Sequence, residues 1–145
     1  MPIIDHQSLT RLLPHAGQMC LLEQVEQWDE QGITCSALSH TDAHNPLREG
    51  EQLPITAGIE YAAQAMAIHG SLNRPADNGA PRVGYLAVLS RVSWQVPRLD
   101  TLTGPLTVRA EQQMATADGS NYEFFISHQG QTILSGLAVV ALANN

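Results

Sequence analysis

Pro54-Ile-Thr-Ala-Gly-Ile-Glu-Tyr-Ala-Ala-Gln-Ala-Met-Ala-Ile-His-Gly70 is the stretch around which the rest of the chain is organised. From Ile55 to His69 it holds no proline and many strong helix formers, alanine above all. Pro54 suits the start of a helix and Gly70 its stop. Fifteen residues at ~1.5 Å rise make a rod of roughly 22 Å, enough to cross a small domain. Apolar or small residues occupy nearly every position, so the expectation is a helix buried on all sides. Thr56, Glu60 and Gln64 break that pattern, each four residues from the next and hence on one stripe.

A lone carboxylate on such a helix has two readings. Glu60 either complements the positive end of the helix dipole at the surface, or sits in an apolar cleft. In a cleft, desolvation disfavours the charged form and raises the pKa, which suits a general acid.

Composition narrows the classes. At 145 residues, residues 1–145 read as one domain with room for a proper core. With 43% hydrophobic and 14% charged residues, the chain is globular in type. The net charge is −7, and all seven basic residues are arginines with no basic run, which argues against nucleic acid and anionic membranes as partners. Cys20 and Cys35 lack CxxC spacing and read as free thiols in a reducing compartment. No leader pattern and no apolar run of ~20 residues is visible, so a cytoplasmic location is expected.

Ahead of the helix, Ser8 to Leu13 reads as a short helical turn stopped by Pro14. Met19 to Trp28 and Ile33 to Leu38 read as a hairpin about Asp29-Glu-Gln-Gly32, where glycine is available for a positive φ. His40 to Leu53 is polar and irregular, with Asn45-Pro46 and Glu49-Gly50 as breakers. After a turn-rich loop over 73–81, strand signals follow at Val83–Val96, Leu102–Ala115, Asn121–Ile126 and Thr132–Leu142. Gly104-Pro105 suggests a bulge or an edge, and Gln129-Gly130 a tight hairpin. The fold class is therefore α+β, one antiparallel sheet wrapped around a long central helix.

Leu13-Pro14-His15, the strand from Cys20 to Val25, His44-Asn45-Pro46, Pro54 and Glu60-Tyr-Ala-Ala-Gln64 together carry a resemblance over essentially the whole chain. They resemble the hot-dog-fold 3-hydroxyacyl-acyl carrier protein dehydratases. In those enzymes a His-x-Pro, a loop and a proline lead into a helix bearing Glu-Ala-x-Ala-Gln, and the proline-to-glutamate spacing of six is kept here. Ser93-Trp-Gln-Val-Pro97 fits the family's second half. Two departures stand out: the His44–Pro54 gap is two residues longer than usual, and Ile55 stands where a glycine is normal. Another alignment places Gly50-Glu51 over the family's Gly-His and leaves no base there. The pattern is most like the divergent dehydratase-like proteins of bacterial aryl polyene synthesis.

The resemblance implies dehydration of a 3-hydroxyacyl thioester, carried on the phosphopantetheine of an acyl carrier protein, without a further cofactor. His44 would take the proton next to the thioester, and Glu60 would give one to the departing hydroxyl. Pro54, Ile55, Gly58 and Gln64 would bind the substrate, with unpaired N–H groups at the helix start stabilising the thioester oxygen. Family dehydratases draw base and acid from opposite protomers, so a homodimer, or a heterodimer with another hot-dog subunit, is expected. An exposed sheet edge gives the same expectation on physical grounds. Two alternatives stay open: a non-catalytic subunit that binds carrier-tethered chains or completes a partner's site, and a hot-dog thioesterase.

Of the other histidines, His69 falls about 180° from Glu60 and reads as a helix C-terminal dipole partner. His15 reads as a loop anchor, and His6, His40 and His128 as surface residues. No HxH, HExxH or Cys-His spacing points to a metal.

Overall fold

Six antiparallel strands form one sheet, and the strands against the one long helix alternate apolar residues toward it with polar residues away. The computed structural model describes residues 3–13, 20–73 and 84–142. In chain order these are α1 (His6–Leu12), β1 (Gln24–Trp28), β2 (Gly32–Ala37), α2 (Gly58–Leu72), β3 (Gly84–Trp94), β4 (Leu106–Thr116), β5 (Gly119–His128) and β6 (Gln131–Leu142). The sheet order is β1-β2-β4-β5-β6-β3, and α2 packs across β2, β4 and β5. The expected wrap of one sheet about one helix is what the chain forms, a hot-dog fold.

Local chemistry sets the boundaries. α1 starts two residues earlier than expected because Asp5 caps it, its carboxylate accepting the Ser8 N–H at 2.9 Å. β1 is shorter than read: Leu21 and Leu22 are buried but precede the ladder. Gly32 does not take a positive φ. Asp29 makes the hairpin turn instead, accepting the N–H groups of Gln31 and Gly32, and Gly32 leaves room because a Cβ there would lie 2.9 Å from the Ala110 backbone carbonyl oxygen. The helix runs past Gly70 to Leu72, with the Asn73 N–H bonding back to His69 O at 3.1 Å. Gly104 has φ +84° and Pro105 follows it, but both precede β4, which is a central strand and not an edge. Gln129 and Gly130, at φ +51° and +81°, form the tight β5–β6 turn. The expectations for Pro14, His15, Met19, Val83 and residues 74–81 lie outside the described residues.

The interior joins the buried face of α2, Tyr61, Ala62, Ala65, Met66 and Ile68, to Ile33, Leu106, Val108, Phe124, Ile126 and Leu134 of the sheet. Each fully buried large side chain contributes about 1.5–3 kcal/mol of burial free energy. Gly58 lets the helix start lie against the sheet, since a Cβ there would meet Leu134 Cδ2 at 2.6 Å. At the far edge, β3 pairs only with β6 and leaves Tyr85, Val88, Leu89 and Trp94 exposed. Its ladder breaks between Ser90 and Ser93, where Arg91 takes φ +53°.

Candidate active site

The irregular run after β2 is held by short-range bonds from residues that favour turns. Ser39–Thr41 forms one 3-10 turn. Asp42 accepts the His44 N–H on Oδ1 at 2.8 Å and the Asn45 N–H on its carbonyl at 3.1 Å. Arg48 staples the loop across its width, donating to Asp42 O at 2.9 Å and Glu51 O at 2.8 Å. Gly50, at φ +65°, turns the chain back so that Glu49 and Gln52 pair. His44 is exposed at the centre of this loop, while Asn45 beside it is buried.

Asn45 reaches the helix. Its Nδ2 donates to Ser39 O at 2.9 Å and to Tyr61 Oη at 3.0 Å, and its Oδ1 accepts the Leu47 N–H at 2.9 Å. Tyr61 Oη and Ser39 Oγ lie 2.7 Å apart, and Ser39 Oγ donates to Leu21 O at 2.7 Å. Burial pushes the Tyr61 phenol above its ordinary pKa, so this hydroxyl stays protonated as a structural donor.

The lead-in to the helix is clamped from the other side. Leu53–Ile55 runs beside Pro97–Leu99, with Leu99 N donating to Leu53 O at 2.8 Å and Ile55 N to Pro97 O at 3.1 Å. Asp100 accepts the Leu53 N–H at 2.8 Å and binds both Nε and Nη2 of Arg98. The Arg98 guanidinium holds the Asp100 carboxyl far below the usual carboxylate range. Because Ile55 N–H bonds Pro97 and Ala57 N–H bonds Pro54 O at 2.9 Å, neither is a free donor. Thr56 N–H has no hydrogen-bond partner among the described residues, which makes it the open donor at the helix start.

The helix is not enclosed on all sides as its composition suggests. Thr56, Glu60 and Ala67 are exposed and Ile59, Ala63 and Gln64 half-buried, so one stripe faces outward in the single chain. Glu60 therefore faces solvent in the single chain. Gln64 accepts the Leu21 N–H on Oε1 at 2.8 Å. Pro54 is half-buried, and Ile55 and Gly58 are buried beneath the turn. Asn45 brings the loop against the residue next to Glu60, but no hydrogen bond or ion pair joins His44 to Glu60. Among the described residues the ion pairs are Arg98–Asp100 and Arg109–Glu111.

Two histidines differ from expectation. His40 is fully buried and not a surface residue: its Nε2 donates to Leu102 O at 2.8 Å, while Nδ1 has no hydrogen-bond partner among the described residues. His69 is also fully buried, bonded through Nδ1 to Tyr122 Oη at 2.7 Å and through Nε2 to Asp29 O at 2.8 Å. It ties α2 to the sheet and is not a dipole partner in solvent. Its place eight residues after Tyr61, on the same face, was the available signal. For His40 the sequence held none, because its burial comes from the distant Leu102–Gly104 loop. Burial pushes both imidazoles below their ordinary pKa. The exposed His6 bonds Leu22 O, and the half-buried His128 bonds Thr103 O. The Cys35 thiol is pushed up to about 12 by burial. Among the described residues no group of three His, Cys, Asp or Glu is placed to hold a metal ion, and no helix is long and apolar enough to cross a membrane.

The family model of the ApeP-like proteins, described as ApeP dehydratase, matches residues 7–144. No curated protein matches by sequence. Among solved structures, the dehydratase heterocomplex ApeI:P from Xenorhabdus doucetiae is similar at 26% identity and TM-score 0.82, over 94% of this chain and 91% of that one. A thioesterase from Haemophilus influenzae (14% identity, TM-score 0.67, 95% and 90% covered) and a mutant thioesterase from Pseudomonas aeruginosa (14%, 0.65, 93% and 93%) share the fold.

Proposed function

Since the chain belongs to the ApeP-like dehydratase family, we propose that it acts in eliminating water from a 3-hydroxyacyl thioester carried on acyl carrier protein. The observation that carries this reading is the placement of Glu60 and Gln64 on the outward stripe of α2, with exposed Thr56 on the 3-10 turn Ile55–Ala57 leading into it and each chain's His44 loop anchored one residue from its Glu60. In the reaction His44 of one subunit removes a proton from C2, the C2=C3 bond forms, and the C3 hydroxyl leaves as water with a proton from Glu60 of the facing subunit. Charge builds on the thioester oxygen, and the open Thr56 N–H at the positive end of the helix is the donor suited to it. Pro54, Ile55 and Gly58 shape the turn that presents this donor, and Gln64 borders the acyl chain. The elimination is redox-neutral, so the thioester's phosphopantetheine arm is the only prosthetic group required.

A second subunit completes the site in this reading. Glu60 is exposed in one chain, and the unpaired β3 edge carries Leu89 and Trp94, 38% and 51% exposed. Edge-to-edge pairing with another hot-dog subunit would cover that edge and dry the outward stripe of α2. That a structural relative is a heterocomplex supports an unlike partner as well as a second copy. Aryl polyene synthesis is the setting that family membership suggests.

The test is turnover of a 3-hydroxyacyl carrier thioester by the pure protein, alone and with a second hot-dog dehydratase subunit. Loss of enoyl product on Glu60→Ala and His44→Ala, by ~10²-fold or more each, is the expected result. Product that forms only with the partner, indifferent to both substitutions, replaces this reading with that of a non-catalytic subunit. Release of free acid in place of enoyl thioester makes the protein a thioesterase.

A further inference from the structure

We propose that Asn45 is a positioning residue, whose amide hooks the His44 loop onto a ring of three hydrogen bonds that is closed through the backbone of Leu21 and one turn of α2. The proposal rests on the reading of His44 and Glu60 given above and extends it to a residue that touches neither substrate nor reacting atoms.

Proton direction in the ring is fixed by chemistry. An amide nitrogen only donates, so Tyr61 Oη accepts from Asn45 Nδ2 and must send its own proton to Ser39 Oγ. A carbonyl only accepts, so the Ser39 hydroxyl proton goes to Leu21 O. The N–H of the same Leu21 residue donates to Gln64 Oε1, three residues beyond Tyr61 on the helix. The circuit Tyr61–Ser39–Leu21–Gln64 thus leaves α2 and returns to it with every donor aligned. Asn45 enters it at one point with both Nδ2 protons and its Oδ1 committed, and is 6% exposed. The reversed amide would set oxygen against the Ser39 carbonyl and an N–H against that of Leu47, so one orientation alone fits.

Two consequences follow for the neighbouring residues. His44, held through its own N–H by Asp42 and through the next residue by this ring, keeps an exposed imidazole on an immobilised backbone. Tyr61 is bonded to Glu60 along the chain, so one anchor holds each subunit's His44 loop and its acid-bearing turn, and a base and acid that meet across subunits are both placed by it. A misplacement of 1 Å in such a pair costs about 10²-fold in rate. The partners give a sharp distinction between packing and hydrogen bonding. Asn45→Asp keeps the shape, yet removes the donor to Tyr61 and faces a carboxylate oxygen to Ser39 O.

The experiment measures steady-state kinetics of Asn45→Asp and Tyr61→Phe, each with and without His44→Ala, on a 3-hydroxyacyl-N-acetylcysteamine thioester. The assembly used is the one that turns the probe over, with near-ultraviolet circular dichroism to confirm folding. Expected are a fall in kcat of about 10- to 100-fold for Asn45→Asp, a smaller fall for Tyr61→Phe, KM within about twofold, and no further loss from either once His44 is alanine. Should Asn45→Asp not fold, Tyr61→Phe alone carries the cycle. Wild-type kcat in the folded variants, or a penalty undiminished in the His44→Ala background, overturns the positioning role while leaving His44 and Glu60 in place. Wild-type turnover by His44→Ala alone, or no enoyl product from any assembly, overturns the catalytic reading first and the positioning role with it.

Discussion

Replacing Tyr122 by phenylalanine removes one hydroxyl from a fully enclosed polar contact, the one to His69. Nε2 of His69 faces the Asp29 carbonyl, which only accepts, so the neutral ring carries its proton there and its Nδ1 lone pair accepts the Tyr122 hydroxyl. The Asn73 amide nitrogen, 2.9 Å from Nε2, abuts the same N–H and adds no bond in this tautomer. His69 is 0% and Tyr122 2% exposed, so water does not replace the lost partner in the native packing. An orphaned buried acceptor costs about 1–3 kcal/mol. At roughly 2–4 °C per kcal/mol for a chain of this size, the melting temperature falls by about 2–12 °C. Urea unfolding followed by circular dichroism measures it, with the exposed Tyr85→Phe as a control expected to be neutral. A Tyr122→Phe loss below about 0.5 kcal/mol refutes the assigned bond.

The same contact has a pH signature. Burial holds His69 below its unfolded value of ~6.5, so the unfolded chain binds more protons as the solution is acidified. The histidine contribution is therefore flat above about pH 6.5 and declines below it, by at most ~1.4 kcal/mol per pH unit for each such histidine, until the lowered folded pKa is passed. His40 contributes in the same direction, its imidazole being equally enclosed. A variant lacking His69 retains only the His40 part of the slope. An unchanged slope assigns the titration elsewhere.

Other perturbations test the packing and the assembly. Gly58→Ala places a Cβ 2.6 Å from Leu134 Cδ2, and overpacking there costs about 1–3 kcal/mol in urea unfolding; an unchanged midpoint means the helix start yields freely. Asp100→Ala frees the Leu53 N–H and its Arg98 partner, so the urea midpoint drops and amide exchange at Leu53 quickens. Because its carboxyl lies far below the usual range, wild-type Asp100 contributes fully above pH ~3.9 and loses that contribution only as pH falls below it. Leu89→Asp on the β3 edge is expected to dissociate the assembly in sedimentation; wild-type sedimentation removes that edge from the interface.

The central rod, the hairpins on either side of it and the family pattern of Pro54, Glu60 and Gln64 were legible in the residues. Their cues are local: helix propensity, period-two alternation and turn chemistry each act within a few positions. Composition misjudged which faces of α2 are covered, because alanines read as buried wherever they stand. Only the sheet decides that Tyr61 and His69 face inward while Glu60 and Ala67 do not. Gly32 looked like a turn glycine and proved to be a clearance for the backbone carbonyl of Ala110, a residue 78 positions away in β4.

What the sequence by itself determined, then, is the order of elements and the identity of the chemical groups, since both follow from short-range preferences and residue type. Which of those groups lie buried, which hydroxyl satisfies His69, and how Asn45 meets Tyr61 were decided only by tertiary structure. Those partners are separated by 53 and 16 residues, and no periodicity along the chain encodes a hydrogen bond across such distances.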